Sequence, residues 1–469
     1  MKLCHALACV VLVLSPCVAF ADTACDVHCD RRDPALAAGD RHAASAKVWS
    51  RQIVLHVSDA DDMAWASIEE GDPGDKVWLD RSWDAGAGWG DGSKLGDTSV
   101  PEGERGWRTM MYSVNDPSHR RVGAVRACGK AGDRSEIACT SWASSMLDGD
   151  APASVAATAL MQLYDGGDGN WPKSWWIAAN ALTAMIDYIS RSGHGRYRYV
   201  IDRTFKANKG AQDGNFTNKF IDDTGWWGLA WVRAYDLTKD PRYLDMAKHD
   251  ADYMYGFWDK ACGGGLWWSA DKKYKNAIPN ELFLKLAASL HNRIPGDTKY
   301  LNRAQQEWAW FRAIGMINAA GLVNDGLNSS CRNNGGQTWT YNQGVVLGGL
   351  AELYRATGDK TLLSDAGRIA DAATTSARLV VGGVLREPCG SNCRGDALAF
   401  KGIFVRNLHE FSRTAGSKKY DAFLSRQATS LWTRSCDVDG RCGSDWSRPF
   451  DFLDLGNQQS ALDALNAAP

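Results

Sequence analysis

The sequence carries no long run of one charge sign, no internal stretch apolar enough to cross a bilayer and little histidine, and each absence removes a class of function. With 53 basic against 55 acidic residues the formal net charge is −2, which argues against nucleic acid or an anionic membrane as the main partner. A neutral partner fits better. No membrane insertion is expected, because past the first 21 residues nothing approaches the ~20 consecutive apolar residues of a spanning helix. Of the 9 His, only His194, His249, His291 and His409 lie beyond residue 150, and none falls in a polar motif there. That argues against a polysaccharide lyase, which needs a Tyr or His base and cations for a uronate.

What is present is more informative. The chain has 21 Trp beside 47 Gly, and an indole offers a large apolar face and one donor, a combination that stacks well on sugar rings. Residues 1–21 read as a signal peptide: a charged start, a short apolar stretch, and Ala19-Phe20-Ala21 as an A-x-A cleavage site. Secretion, to the periplasm or the exterior, is therefore expected. Three of the 13 Cys (Cys4, Cys9, Cys17) leave with that segment, and the even remainder suits disulfides in an oxidising compartment. Short spacings suggest Cys128 with Cys139, Cys389 with Cys393 and Cys436 with Cys442, which leaves Cys25/Cys29 and Cys262/Cys331. No zinc site is expected, because the four-residue Cys spacings lack partner His.

Two regions differ in grammar. Residues 22–150 form a small β-rich module of open role, with strands expected over Gln52 to Val57, Lys76 to Leu79, Trp107 to Val114 and Arg121 to Cys128, and one helix over Ala60 to Glu70. The module holds Trp78, Trp83, Trp89 and Trp107. From 151 to 469 the pattern is helical, with apolar positions at three- and four-residue steps such as Ile278, Leu282, Leu286 and Leu290. A turn recurs between helices: Gly193 to Tyr197, Asp240 to Tyr243, Gly296 to Tyr300, Gly358 to Leu362 and Gly416 to Tyr420. Each stops one helix, restarts the next and supplies a Tyr or Leu that packs inward. About twelve helices result: 152–164, 174–190, 194–207, 220–238, 241–257, 276–293, 297–317, 341–357, 359–378, 396–414, 417–433 and 456–466. Six hairpins predict a mainly α fold, an (α/α)6 barrel or six-hairpin toroid; an open helical solenoid is the alternative. In the toroid every second helix is inner, and the starts of the inner helices line one mouth.

The sharpest constellation is Phe220-Ile221-Asp222-Asp223-Thr224-Gly225-Trp226-Trp227-Gly228, at the start of an inner helix. An Asp there can simply cap the helix or favour its dipole. Capping needs only one acceptor, however, and two adjacent carboxylates beside two indoles fit an acid pair for glycoside cleavage. Retaining enzymes hold their carboxyl groups about 5–5.5 Å apart and inverting ones about 6.5–9.5 Å; neighbours in sequence reach the shorter distance more easily, which favours retention. Other motifs gather at the same mouth: Trp175-Trp176 with Asn180, Trp267-Trp268, Lys275-Asn276, Asp325 to Asn328, Tyr341-Asn342-Gln343 and Phe400-Lys401. Aromatics and amides suit a neutral polyol, whose hydroxyls donate and accept.

These residues resemble glycoside hydrolase family 76, the α-1,6-mannanase family. The resemblance rests on Asp-Asp-x-x-Trp-Trp, Trp-Trp-x-x-Ala-Asn, Lys-Asn-Ala with its following Asn, Thr-Tyr-Asn-Gln-Gly and Phe-Lys-Gly, spread over residues 151 to 450. It implies an (α/α)6 barrel, endo-acting retaining cleavage of an α-1,6-mannan backbone, and no cofactor or metal. Carried over, Asp222 resembles the nucleophile and Asp223 the acid/base. The substrate positions expected are Trp175, Trp176, Asn180, Trp226, Trp227, Trp268, Asn276, Tyr341, Asn342, Gln343, Phe400 and Lys401. The partner expected is α-mannan or an α-manno-oligosaccharide, bound by a monomer. Transglycosylation and non-catalytic wall binding are the alternatives.

Overall fold

The computed structural model describes residues 23–469 except 27, 84–92, 117–122, 133, 146–151, 166, 173 and 194–195. The signal segment 1–21, Trp89 and the boundary at 150/151 lie outside the described residues.

The β-rich half consists of two antiparallel sheets. One runs β1 (Arg41–Val48), β2 (Arg51–Ser58), β3 (Met63–Glu69), β6 (Trp107–Arg108), with β7 (Tyr112–Ser113) also on β3. The other runs β5 (Lys94–Ser99), β4 (Lys76–Ser82), β8 (Ala124–Lys130), β9 (Ile137–Cys139). Ile53, Leu55 and Ile68 of the first share one core with Val77, Leu79 and Val125 of the second. The sheets approach closely at Gly129, where a Cβ would lie 2.1 Å from Ile53 Cδ1.

The expected helix over Ala60 to Glu70 is a strand. Met and Ala favour helix locally, but β3 is flanked on both edges, Gln52 pairing with Glu69 on one side and Ser67 with Arg108 on the other. Those ladder bonds and burial of Trp65 and Ile68 outweigh a weak local preference. The Trp107 to Val114 segment breaks into β6 and β7, and β1, with its three Ala, and β5, interrupted by Gly96 and Asp97, carried no strand signal.

Among the described residues beyond 151, twelve α-helices follow: α1 (Pro152–Gln162), α2 (Trp175–Ser192), α3 (Tyr199–Asn208), α4 (Ile221–Thr238), α5 (Pro241–Tyr255), α6 (Ala277–His291), α7 (Lys299–Ala313), α8 (Thr340–Thr357), α9 (Lys360–Thr375), α10 (Phe400–Thr414), α11 (Asp421–Ser430) and α12 (Leu455–Asn466). Between α9 and α10 lies a short hairpin, β10 (Val380–Val381) and β11 (Val384–Leu385), too brief to show as periodicity. The even-numbered helices pack in sequence, α2 on α4, α4 on α6, α6 on α8, α8 on α10, α10 on α12, and α12 returns to α2. Odd-numbered helices lie outside: α5 on α4 and α6, α7 on α6 and α8, α9 on α8.

Sequence explains which helix goes where. All of Ala277 to Leu290 is buried in α6, whereas α9 buries only Leu362, Ala366, Ile369, Ala370 and Ala373, the single apolar stripe of a helix with one solvent face. Asp240 and Asp359 cap α5 and α9, their side chains accepting from Arg242 N and Thr361 N. The turn residues Tyr197, Tyr243, Tyr300, Leu362 and Tyr420 are all buried. Gly225 and Gly228 let α4 approach its neighbours, since a Cβ at Gly228 would lie 2.6 Å from Leu286 Cδ2. The helical half has its own apolar core, separate from that of the sheets.

All five expected disulfides are present: Cys25–Cys29, Cys128–Cys139, Cys262–Cys331, Cys389–Cys393 and Cys436–Cys442. They belong to an oxidising, extracytoplasmic compartment. No helix among the described residues is long and apolar enough to cross a membrane.

Candidate active site

The first turn of α4 anchors the site. Phe220 occupies the cap position with extended backbone and makes no side-chain cap bond, so neither Asp222 nor Asp223 is the cap. The entry is held instead from outside the helix. Ile221 N donates to Trp268 O at 2.8 Å, Ala270 N to Lys219 O at 2.8 Å, and Phe220 N to Asn218 Oδ1 at 2.8 Å. The segment before α6 therefore lies along the start of α4 and brings Trp268 Nε1 to 3.1 Å from Asp222 Oδ2.

The two carboxylates differ in surroundings. Asp222 opens onto a cleft of about 280 Å³; its Oδ1 is buried without a hydrogen-bond partner. Asp223 is only 8 % exposed, and its Oδ2 accepts from Asn218 Nδ2 at 2.6 Å. Burial pushes Asp222 well above the usual carboxylate range, and the charge of Asp223 adds to this, against the Trp268 N–H and the free N–H groups of the first turn. Burial also pushes Asp223 up to about 6, opposed by the Asn218 amide and reinforced by Asp396. Two such groups titrate as a pair, burial and mutual repulsion favouring one shared proton over two charges.

The cleft is built from the starts of the inner helices and the loops before them, as the toroid reading expects: Trp176 from α2, Asp222 and Trp226 from α4, Trp268, Tyr274 and Asn276 before α6, Asp325 before α8, Tyr341 on α8, and Asp396 and Phe400 at α10. Its aromatic wall is continuous. Tyr341 and Phe400 stack at 3.9 Å with 6° between planes, and Trp176 lies 5.6 Å from Trp226 and 6.1 Å from Phe400. Polar groups rim it: Trp176 Nε1 donates to Asp396 Oδ1 at 2.9 Å, and Tyr274 OH and Asn276 Nδ2 donate to Asp325 Oδ2 at 2.6 and 3.2 Å.

Of the expected positions, the structure brings Asp222, Trp176, Trp226, Trp268, Asn276, Tyr341 and Phe400 into the cleft. Asp223 stands immediately behind Asp222. The side chains of Trp175, Asn180, Trp227, Asn342, Gln343 and Lys401 do not line it. The cause is helical geometry, since successive residues point about 100° apart and one of two adjacent side chains must face away. Trp175 and Trp227 pack on each other at 4.9 Å and on Phe216. Asn180 accepts from Arg406 at 2.5 Å, Gln343 pins Val323 through both its N–H and C=O, and Asn342 is fully buried. Lys401 donates to Ser444 O at 2.6 Å over the face of Trp446.

Asn218, Tyr274 and Asp396 are the cleft or pair contacts that sequence reading did not single out, and Asp325 was not among the expected substrate positions. Asp325 stood in a recognised mouth motif, but a loop Asp has many structural uses; Asn218 and Asp396 have no motif of their own. The larger cavity of the helical half, about 610 Å³, lies at the finishing ends of α2 and α10 and is lined by Arg233, Arg406, Glu410 and Asp463. Arg233 pairs with Glu410 at 2.8 Å and Arg406 with Asp463 at 3.1 Å, an ion-pair network and not a sugar platform.

A desolvated carboxylate pair beside an aromatic-walled cleft, at one end of a ring of helices, defines a glycoside hydrolase. Comparison with known proteins narrows the class. The model of glycosyl hydrolase family 76 matches residues 150–468, and the chain belongs to that family. The mannan endo-1,6-alpha-mannosidase DFG5 of Saccharomyces cerevisiae is 29 % identical over 364 residues, 68 % of this chain and 79 % of the relative. The GH76A alpha-1,6-mannanase of Salegentibacter sp. HEL1_6 superposes with a TM-score of 0.62 at 26 % identity, covering 67 % of this chain and 97 % of that one. A variant of that mannanase, inactive with two consecutive Asp replaced by Asn and in complex with α-1,6-mannotriose, matches with a TM-score of 0.60 at 24 % identity over the same shares.

Proposed function

We propose that this chain is a secreted, endo-acting, retaining glycosidase of α-1,6-linked mannan, its residues 151–469 forming an (α/α)6 catalytic toroid and residues 22–150 a separate module. The observation that carries this reading is the adjacent, desolvated, non-capping pair Asp222–Asp223, of which only Asp222 opens on the cleft. The Asp222 carboxylate attacks the anomeric carbon and forms a glycosyl ester; the Trp268 N–H on Oδ2 stabilises the charge it starts from. Asp223, protonated, donates to the departing glycosidic oxygen, then takes a proton from the water that releases the sugar. One proton on the pair leaves one carboxyl as acid and one as carboxylate, the two forms that the reaction requires. Neutral mannosyl units fit a wall of Trp176, Trp226, Tyr341 and Phe400 with the Asn276 amide at its rim.

The test is incubation of the purified protein with linear α-1,6-mannan, following product size and the anomer released first. Retained α-products are expected, with Asp222→Asn and Asp223→Asn each slowing turnover about 10³-fold or more. No cleavage, or undiminished cleavage by both variants, overturns the proposal. An inverted first product removes Asp222 as nucleophile.

A further inference from the structure

The β-rich half gathers nitrogen and oxygen donors that the cleft does not use. His42 on β1 stands directly opposite His56 on β2, and directly opposed residues of an antiparallel pair share a face with Cβ atoms about 4.5–5.5 Å apart. Asp40 lies two residues before His42, so the two-residue period of extended chain carries its carboxyl to the same face. A break in register between His42 and Ala44 re-aims the neighbouring side chains, as bulges do. The two imidazoles meet edge to face, centroids 4.6 Å apart at 82°. Asp40 Oδ1 is 2.8 Å from His56 Nδ1, and Asp40 Oδ2 is 3.9 Å from His42 Nε2.

We infer that Asp40, His42 and His56 form a binding site for a divalent transition-metal cation of the kind taken by imidazole and carboxylate, with Zn²⁺ its natural probe. One donor atom from each residue lies within 4.8 Å of the other two. Zinc–nitrogen and zinc–oxygen bonds are about 2.0–2.2 Å, so tetrahedral ligand atoms sit about 3.4 Å apart, and the separations of 2.8 and 3.9 Å bracket that value. His56 is already oriented: its Nε2 is 2.8 Å from Ser67 Oγ, and its ring stacks on Trp65 at 5.0 Å and 6°. A partner on the far ring nitrogen is the usual outer support of a metal-bound His.

Charge balance points the same way. A ring nitrogen and a carboxylate oxygen at 2.8 Å need a positive centre between them. A proton on Nδ1 serves that pair, but it leaves unexplained why the His42 nitrogen is aimed at the same carboxylate; a cation serves all three. Asp40 and His42 are open to solvent, with side chains 46 % and 66 % exposed, which leaves the fourth position to water. Two nitrogens in three donors disfavour Ca²⁺ and Mg²⁺. Asp80, Cys128 and Cys139 also cluster, but both sulfurs are consumed by a disulfide. A cation at the first site would tie β1, the outermost strand of its sheet, to β2.

The experiment is calorimetric titration of the chelator-stripped full chain with Zn²⁺ alone, with thermal melts alongside. The expected result is one Zn²⁺ per chain and a rise in Tm on saturation. The Asp40→Ala/His42→Ala double variant alters only exposed ligands; it should fold, keep mannan cleavage, and lose the zinc-dependent rise in Tm and about 100-fold or more in affinity. Failure of the native chain to bind stoichiometrically, or equal binding by native and double variant, overturns the assignment.

Discussion

Removing the amide that faces Asp223 should move the alkaline limb of activity upward. Asn218 Nδ2 donates to Asp223 Oδ2 at 2.6 Å, and both residues are about nine-tenths buried. A hydrogen bond to a charged group contributes about 1.5–3 kcal/mol, and one pKa unit corresponds to about 1.4 kcal/mol. Full loss of the donor would thus raise Asp223 by about one to two units. Cleft water regains part of it, so a rise of about one unit, from about 6 to roughly 7, is the working figure for Asn218→Ala. The sign follows from the charge: the amide favours the carboxylate, so without it Asp223 keeps its proton to higher pH. Since Asp223 is proposed to act as an acid, the alkaline limb of kcat/KM, which reports the free enzyme, should shift up by that amount. Asn218 Oδ1 also accepts from Phe220 N, so Asn218→Ala should slow the reaction at its optimum as well. Asn218→Asp keeps that acceptor, adds a like charge and should move the limb further. Initial rates on α-1,6-mannotetraose across the weakly acidic to weakly alkaline range read all three proteins. An alkaline limb that stays in place, or falls, in both variants refutes the reasoning.

Other consequences follow from the same structure. Asp250 is fully buried with His249 Nδ1 3.6 Å from its Oδ1, and burial, opposed by His249, raises its pKa to about 7. The native state therefore holds a proton that the unfolded chain releases near pH 4, and from about pH 4 to 7 this group lowers stability by up to about 1.4 kcal/mol per pH unit. Asp250→Asn should flatten that part of the stability–pH curve in denaturant titrations, whereas an unchanged slope would show that Asp250 is ionised in the fold. The Cys262–Cys331 bridge closes a 69-residue separation and clips the segment bearing Trp268 and Asn276 to the one bearing Asp325. Its double Ser variant should lose about 4 kcal/mol of stability and show a higher KM. Gly228→Ala should cost about 1–3 kcal/mol by pressing its methyl on Leu286, read as a lower Tm. Phe400→Ala removes the ring stacked on Tyr341 and should raise KM for mannotetraose more than it lowers kcat.

Much of this architecture could be read from one chain. Periodicity located twelve helices because inner helices are apolar all round and outer ones carry one stripe, and the Gly and Asp turn residues mark their ends chemically. The Asp222–Asp223 pair was visible because two acids, two glycines and two indoles exceed what a helix cap needs. Local cystine pairings were readable because short loops leave few partners, and the long bridge followed from what remained.

Strands β1 and β5 were hidden because Ala in one and Gly96 and Asp97 in the other blur the alternation, and β3 because its pairing, not its propensity, makes it a strand. Adjacent residues on one helix looked equivalent in sequence, yet rotation of about 100° per residue sent Trp226 to the cleft and Trp227 to the core. Lys401 and Gln343 were turned by the same geometry to hold loops. Asn218, Asp396 and the cross-strand His42–His56 pair acquire their meaning from contacts that no local pattern encodes. By itself, the sequence determined the number of helices, their inner or outer character, the two adjacent acids at a helix start and the cystines, because periodicity, composition and turn chemistry are local. Only the tertiary structure decided which side chains share a cavity, which carboxylate meets the cleft and which donors meet across strands, because those depend on the direction of each side chain and on elements distant in the chain.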